Sequence, residues 1–144
     1  MERTALDSSV VIPALLTWHE HHERALAVVV AARSAASGAI LPLPALIESL
    51  AVMTWLPPPM RLAPTMAWTL LEAAFAQHTT IAALDGAAAW SMLAALPQIG
   101  VSGGATFDAH VWACAKRAGA VRLATFNLKD FQRLDLEGME LLLP

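Results

Sequence analysis

Charge is scarce in this chain: Asp, Glu, Lys and Arg supply 15% of its 144 residues, against about 25% in typical soluble domains. Hydrophobic residues supply 57%, above the usual share of about 45–50%. A disordered chain is therefore excluded, and the excess implies that a partner covers some apolar surface. Cysteine occurs once, as Cys114, so no internal disulfide can form and the thiol reads as a small buried hydrophobe. Long apolar runs are missing too. The longest uncharged stretch, residues 86–107, is interrupted by Pro97, Gly100, Gly103 and Gly104, which rules out a continuous bilayer-spanning helix there. Near the start, the apolar run 10–16 ends in the charged cluster 19–23, unlike a signal peptide. The expectation is a cytoplasmic protein without a membrane segment. No repeat, low-complexity tract or linker divides the sequence, so residues 1–144 read as a single domain.

Net charge is −3 at neutral pH, which argues against simple nucleic-acid binding, but the mean hides an asymmetry. Five of the nine basic residues (Lys116, Arg117, Arg122, Lys129 and Arg133) fall within 116–133, where Asp130 is the one acid. Such a strip attracts a phosphate backbone. A solvated helix face is the plainer reading.

Short apolar runs alternate with longer helical patterns. Thr4–Leu6 is predicted as a first strand, followed by a helix over 9–16. Residues 20–35 form a second helix, with Leu26, Val29 and Val30 on one face. Residues 39–41 are a second strand, and Pro44 opens a helix that ends before Pro57-Pro58-Pro59. Residues 64–76 read as helix and 79–84 as a strand rich in β-branched residues. Asp85 is placed as the N-cap of 87–95. After the Ser102-Gly103-Gly104 loop come a helix over 106–118 closed by Gly119, a strand over 120–124 and a short last strand over 139–142. Strands separated by helices imply crossovers and a mostly parallel sheet, hence the α/β class.

In such a sheet, ligands bind beyond the carboxyl ends of the strands, near a topological switch point. Asp7 follows the first strand, Glu48 lies in the helix after the second, and Asp108 stands near the start of the helix behind the glycine loop. Asn127 and Asp130 follow the strand 120–124. Each acid also has a bland reading: Asp7 as a helix cap, Asp108 as a partner of a helix dipole, Glu48 as an exposed charge. Glu48, however, sits between Ala45-Leu46-Ile47 and Leu50-Ala51-Val52, a setting in which an idle charge is costly. Clustered carboxylates repel one another and require a cation. Hard Mg2+ or Mn2+ matches all-oxygen ligands. Because Mg2+ keeps several waters, it leaves room for a phosphate oxygen and an attacking water, and the implied chemistry is hydrolysis of a phosphodiester.

Leu6-Asp7-Ser8-Ser9-Val10, Leu46-Ile47-Glu48-Ser49-Leu50, Phe107-Asp108 and Thr125-Phe126-Asn127-Leu128-Lys129-Asp130-Phe131 occur in this order. Together they resemble the PIN-domain ribonucleases, most of all the VapC-type toxins of bacterial toxin–antitoxin pairs, over residues 3–134. The resemblance implies a three-layer α/β/α sandwich with a quartet of acidic or amide residues at one sheet edge. Asp7, Glu48 and Asp108 match the first three acids. Asn127 stands at the fourth position, with Asp130 nearby, and an amide there supplies no negative charge. By the same resemblance, Asp7 and Asp108 are the principal Mg2+ ligands. Glu48 positions or deprotonates the attacking water, or reaches the metal through water. Asn127, with Ser9 or Thr125, completes the hydrogen bonding, and Lys116, Arg117 and Lys129 are candidates for flanking RNA phosphates. The implied partner is a small antitoxin whose C-terminal segment folds on the toxin. The apolar excess of helices 9–16, 20–35 and 44–56, with Trp18 and Trp55 near their ends, predicts an exposed groove for such a segment and a two-fold homodimer through other faces.

His19-Glu20-His21-His22-Glu23 lacks the spacing of a helical zinc site and reads as a polar helix start. The tryptophans at 18, 55, 68, 90 and 112 read as core or partner contacts rather than base-stacking platforms. A haloacid-dehalogenase-like phosphatase wants a second Asp where Ser9 stands. A receiver domain wants an acidic pair at the first strand and a phosphoacceptor Asp after a central one, and neither occurs. The alternative is a catalytically silent PIN-like fold serving as a protein- or RNA-binding module, against which intact Asp7, Glu48 and Asp108 weigh.

Overall fold

The computed structural model describes residues 2–134 and 137–144. Among these, β1 (Thr4–Leu6), β2 (Ala39–Pro42), β3 (Thr79–Ala82), β4 (Arg122–Ala124) and β5 (Glu140–Leu142) form one sheet. Every pairing is parallel, in the order β3-β2-β1-β4-β5. The helices are α1 (Ser8–Leu15), α2 (His22–Ser34), α3 (Leu43–Met53), α4 (Pro64–Phe75), α5 (Gly86–Ala95), α6 (Ala105–Arg117) and α7 (Leu128–Gln132). A 3₁₀ turn, Leu96–Ile99, extends α5.

Strand side chains alternate between faces, and here the alternation builds two cores. Leu6, Ala39, Leu41 and Ala124 pack with residues of α1 to α4 on one side. Ala5, Ile40 and Leu123 pack on the other with α6, Phe131 of α7 and Leu96. Strands buried on both faces between helices make the three-layer α/β/α sandwich.

The predicted elements lie within a few residues of the observed ones, and Asp85 caps α5 by accepting from the Ala88 N–H at 2.8 Å. Gly119, at φ +84°, supplies the left-handed turn that ends α6. Gly38, at φ +71°, is required sterically, because a Cβ there would stand 2.3 Å from the His78 carbonyl oxygen. That carbonyl accepts from the Ala39 N–H at 2.9 Å and seats β2 against β3.

Two expectations are corrected and one is narrowed. The buried face of α2 is Ala25, Val29 and Ala32, while Leu26 and Val30 are exposed; small alanines let α1 and α2 approach closely, which larger side chains would prevent. Of the two readings of the tryptophans, core or partner contact, the exposure of Trp18, Trp55, Trp68 and Trp90 removes the first. Helix α7, at five residues, is too short to show a periodicity and was not predicted. Cys114 is fully buried, and that burial pushes its thiol pKa up. No helix among the described residues is long and apolar enough to cross a membrane.

Candidate active site

The strand order places β1 beside β4, where consecutive connections run to opposite sides of the sheet. Leu6 pairs with Ala124, so Asp7 and Thr125 are the first residues past two neighbouring strand ends. The Asp7 N–H still donates to the Ala124 carbonyl at 3.0 Å, while the Asp7 carbonyl accepts from Val10 and Val11 at 2.9 and 3.0 Å to start α1. Asp7 thus occupies the N-cap position, yet its side chain makes no capping bond. The capping role is not what holds it there.

Its carboxylate is held inward instead. Asp7 is 5% exposed, and its Oδ2 accepts from Ser9 Oγ at 2.7 Å and Thr125 Oγ1 at 2.8 Å. Each hydroxyl spends its single proton on the carboxylate, so both accept from backbone. Ser9 Oγ accepts from the Phe126 N–H at 3.0 Å and Thr125 Oγ1 from the Asn127 N–H at 2.9 Å. The loop after β4 is thereby tied to Asp7 across 118 positions of sequence.

Asp108 stands in the first turn of α6 with its side chain 25% exposed. Its carboxyl pKa is raised by burial first, then by the charges of Asp130 and Asp7, with Glu48 adding a smaller push and Arg133 pulling down. Asp108 therefore lies within electrostatic reach of Asp7, Glu48 and Asp130 (together, the acid cluster). Arg133 Nη2 lies 3.6 Å from Asp108 Oδ2 and 3.9 Å from Asp130 Oδ1. The sequence places Arg133 only in the basic strip, although its position three residues after Asp130 is also the spacing of a helical ion pair. Glu48 is exposed, so its apolar sequence neighbours do not bury it. Asn127 is exposed too, and its ties to the cluster among the described residues are backbone ones: its N–H donates to Thr125 Oγ1 and its carbonyl accepts from the Asp130 N–H at 3.1 Å.

Two of the three predicted phosphate contacts lie elsewhere. Lys116 and Arg117 stand in the last turn of α6, roughly 12 Å along the helix from Asp108 at 1.5 Å per residue. There Lys116 Nζ sits 4.8 Å from the centre of the Trp112 ring, and Arg117 pairs with Asp85 at 3.3 Å. Lys129 is exposed in α7, next to Asp130.

The cluster fits a divalent cation by its donor set. All its side-chain donors are oxygens, and the buried Asp7 offers Oδ1, which takes no hydrogen bond among the described residues. No three His, Cys, Asp or Glu side chains among the described residues converge as a ready-made cage. Mg2+ and Mn2+ need no such cage, since Mg2+ binds through one or two carboxylates and keeps waters.

The PIN domain family model matches residues 4–137. Ribonuclease VapC40 of Mycobacterium tuberculosis is 37% identical over 136 residues, covering 92% of this chain and 95% of that protein. Among solved structures, Mycobacterium tuberculosis VapC20, a Sarcin-Ricin loop cleaving toxin, superposes with a TM-score of 0.69 at 12% identity, covering 90% of this chain and 93% of that one. The DNA-bound VapBC of Salmonella typhimurium superposes with a TM-score of 0.65 at 18% identity, covering 99% and 98%. At such identities the structural likeness speaks for the fold. With the family model over nearly its whole length and a relative of substantial identity, the chain belongs to the PIN domain family.

Proposed function

We propose that this chain is a metal-dependent ribonuclease acting as the toxin of a toxin–antitoxin pair. The carrying observation is the buried Asp7 carboxylate, clamped by two hydroxyls on one oxygen, together with Asp108, whose carboxyl pKa is raised by burial and by the charges of Asp130, Asp7 and Glu48. Placing like charges together is unfavourable unless a cation joins them. Membership of the PIN domain family and the likeness to Ribonuclease VapC40 support RNA as the substrate.

Asp7 and Asp108 would hold the ion, Mg2+ or Mn2+. When bound, it offsets phosphate charge and makes water a better nucleophile. Ser9 and Thr125 fix the Asp7 carboxylate so that Oδ1 faces the site. Glu48, exposed and without an ion pair among the described residues, positions the attacking water or accepts its proton. The water oxygen joins phosphorus as the bond to the departing ribose oxygen breaks, and solvent returns a proton to that oxygen. Asn127 and Asp130 complete the polar rim, and Lys129 meets a flanking phosphate without reading sequence.

The partner in this reading is a small antitoxin. Trp18, Leu26, Val30 and Trp55 leave apolar area exposed on and beside α1 to α3, which suits an amphipathic segment, and a homodimer would cover other apolar faces. The test is cleavage of RNA by purified protein. Activity should stop with EDTA, return with Mg2+ or Mn2+, and be lost in Asp7→Asn and Asp108→Asn at equal folded concentration. Full activity in either variant, with contaminating nuclease excluded, refutes the assignment. Absence of cleavage under all metals would leave the silent binding module.

A further inference from the structure

A cleft of about 440 Å³ opens between α3 and α6, within the range of about 300–1,000 Å³ usual for small-molecule sites. Leu43, Ile47 and Val111 are its apolar walls, Phe107 is its aromatic face, and Glu48 and His110 are its polar groups. Helical spacing explains the grouping. Leu43 and Ile47 lie one turn apart on α3, as do Phe107 and Val111 on α6, so each pair shares a face.

The cleft is continuous with the acid cluster, since Glu48 belongs to both and Phe107 precedes Asp108 in the chain. Phe107 is 73% exposed and Ile47 60%. Large apolar side chains exposed around a concavity mark a binding surface. Resting on the ribonuclease reading above, we propose that this cleft is a nucleobase subsite. One unstacked base beside the scissile phosphate lies flat against Phe107, packed by Ile47 and Val111, with its polar edge at His110.

The chemistry of the walls selects this occupant. Single-stranded RNA is held by splaying bases onto aromatic side chains, and every base presents a π-face. A neutral imidazole offers one donor and one acceptor, which gives His110 the means to prefer one base edge over another. The Glu48 carboxylate repels phosphate, so the backbone stays outside and the uncharged base enters. An aliphatic side chain from a protein partner would leave His110 without a match.

The probe is a set of short RNAs in which 2-aminopurine replaces one base at a time. Each is bound to the full chain with Ca2+ in place of Mg2+, and cleavage is then followed with Mg2+. Fluorescence should rise at one position, adjacent to the bond that is cut, as that base leaves its RNA neighbours. Phe107→Leu should lose that rise and raise KM about tenfold, as expected for one stacked base, whereas Phe107→Trp keeps the low KM. His110→Ala should alter the relative rates for the four bases at that position. An unchanged melting temperature verifies folding of these variants. Wild-type KM, cut positions and base preference in Phe107→Leu would overturn the subsite while leaving the nuclease reading intact. A variant altered solely in its affinity for a co-purified protein partner would overturn it as well. A position-specific rise in fluorescence without any cleavage would support the subsite and refute the hydrolase reading.

Discussion

Replacing Thr125 by Val tests whether the hydroxyl clamp holds the carboxylate at the centre of the site. Thr125 is fully buried, and Val has nearly its shape, so the change removes an oxygen without opening a cavity. Two bonds go with it, the donation to Asp7 Oδ2 at 2.8 Å and the acceptance from the Asn127 N–H at 2.9 Å. A hydrogen bond to a charged group contributes about 1.5–3 kcal/mol, and a backbone N–H left without a partner costs about 1 kcal/mol or more. Ser9 still donates to the same carboxylate oxygen at 2.7 Å, which limits the loss. The expected destabilisation of metal-free protein is about 2–4 kcal/mol, or roughly 5–15 °C in melting temperature. Mn2+ affinity should fall about tenfold, the lower end for loss of a group that orients a ligand. Thermal melts with EDTA read the first quantity and Mn2+ titration calorimetry the second. Thr125→Ser, which retains the hydroxyl, should recover most of the metal affinity. Stability within about 0.5 kcal/mol of wild type, together with unchanged Mn2+ binding, would refute the clamp.

Asp108→Asn should abolish cleavage yet stabilise the metal-free fold at neutral pH. Because the folded Asp108 pKa is raised by burial and neighbouring acids, the fold binds its proton more readily than the unfolded chain does. That contribution favours the fold below the raised value and weakens it as pH rises through that value. Melts from pH 4 to 7 with EDTA should show the advantage of the variant shrinking toward acid, and an advantage independent of pH would contradict the clustering. Arg133→Ala removes the cation that sits 3.6 Å from Asp108 and 3.9 Å from Asp130. Mn2+ affinity should rise about twofold to fivefold, matching the roughly 0.2–1 kcal/mol of exposed ion pairs; weaker binding would mean that Arg133 orders the site instead of competing with the ion. Lys116→Ala with Arg117→Ala should leave the salt dependence of short-RNA binding unchanged, because both residues stand at the far end of α6. A flattened salt slope would show that RNA reaches that end of α6.

The division between what sequence and structure each decided follows from the range of the forces involved. The alternation of strands and helices was legible because hydrophobic periodicity, prolines and caps act within a few residues, as at Asp85 and Gly119. Asp7 and Asp108 were legible because the one follows a strand and the other stands in the first turn of a helix, and an α/β sheet gathers such positions at one edge. The local pattern did not reveal which face of α2 is buried, since the choice of Ala25 and Ala32 over Leu26 and Val30 depends on how closely α1 approaches. Nor did it separate Lys116 and Arg117, in the last turn of α6, from Lys129, beside Asp130 in α7. Asp7 alone is a residue after a short strand. Its bonds to Thr125, the placing of Arg133 between two acids and the cleft between Glu48 and Phe107 exist because β4 lies beside β1 and α6 packs near α3. Those adjacencies join residues tens of positions apart, and only the packed chain, with its cores closed on both faces of the sheet, determines them.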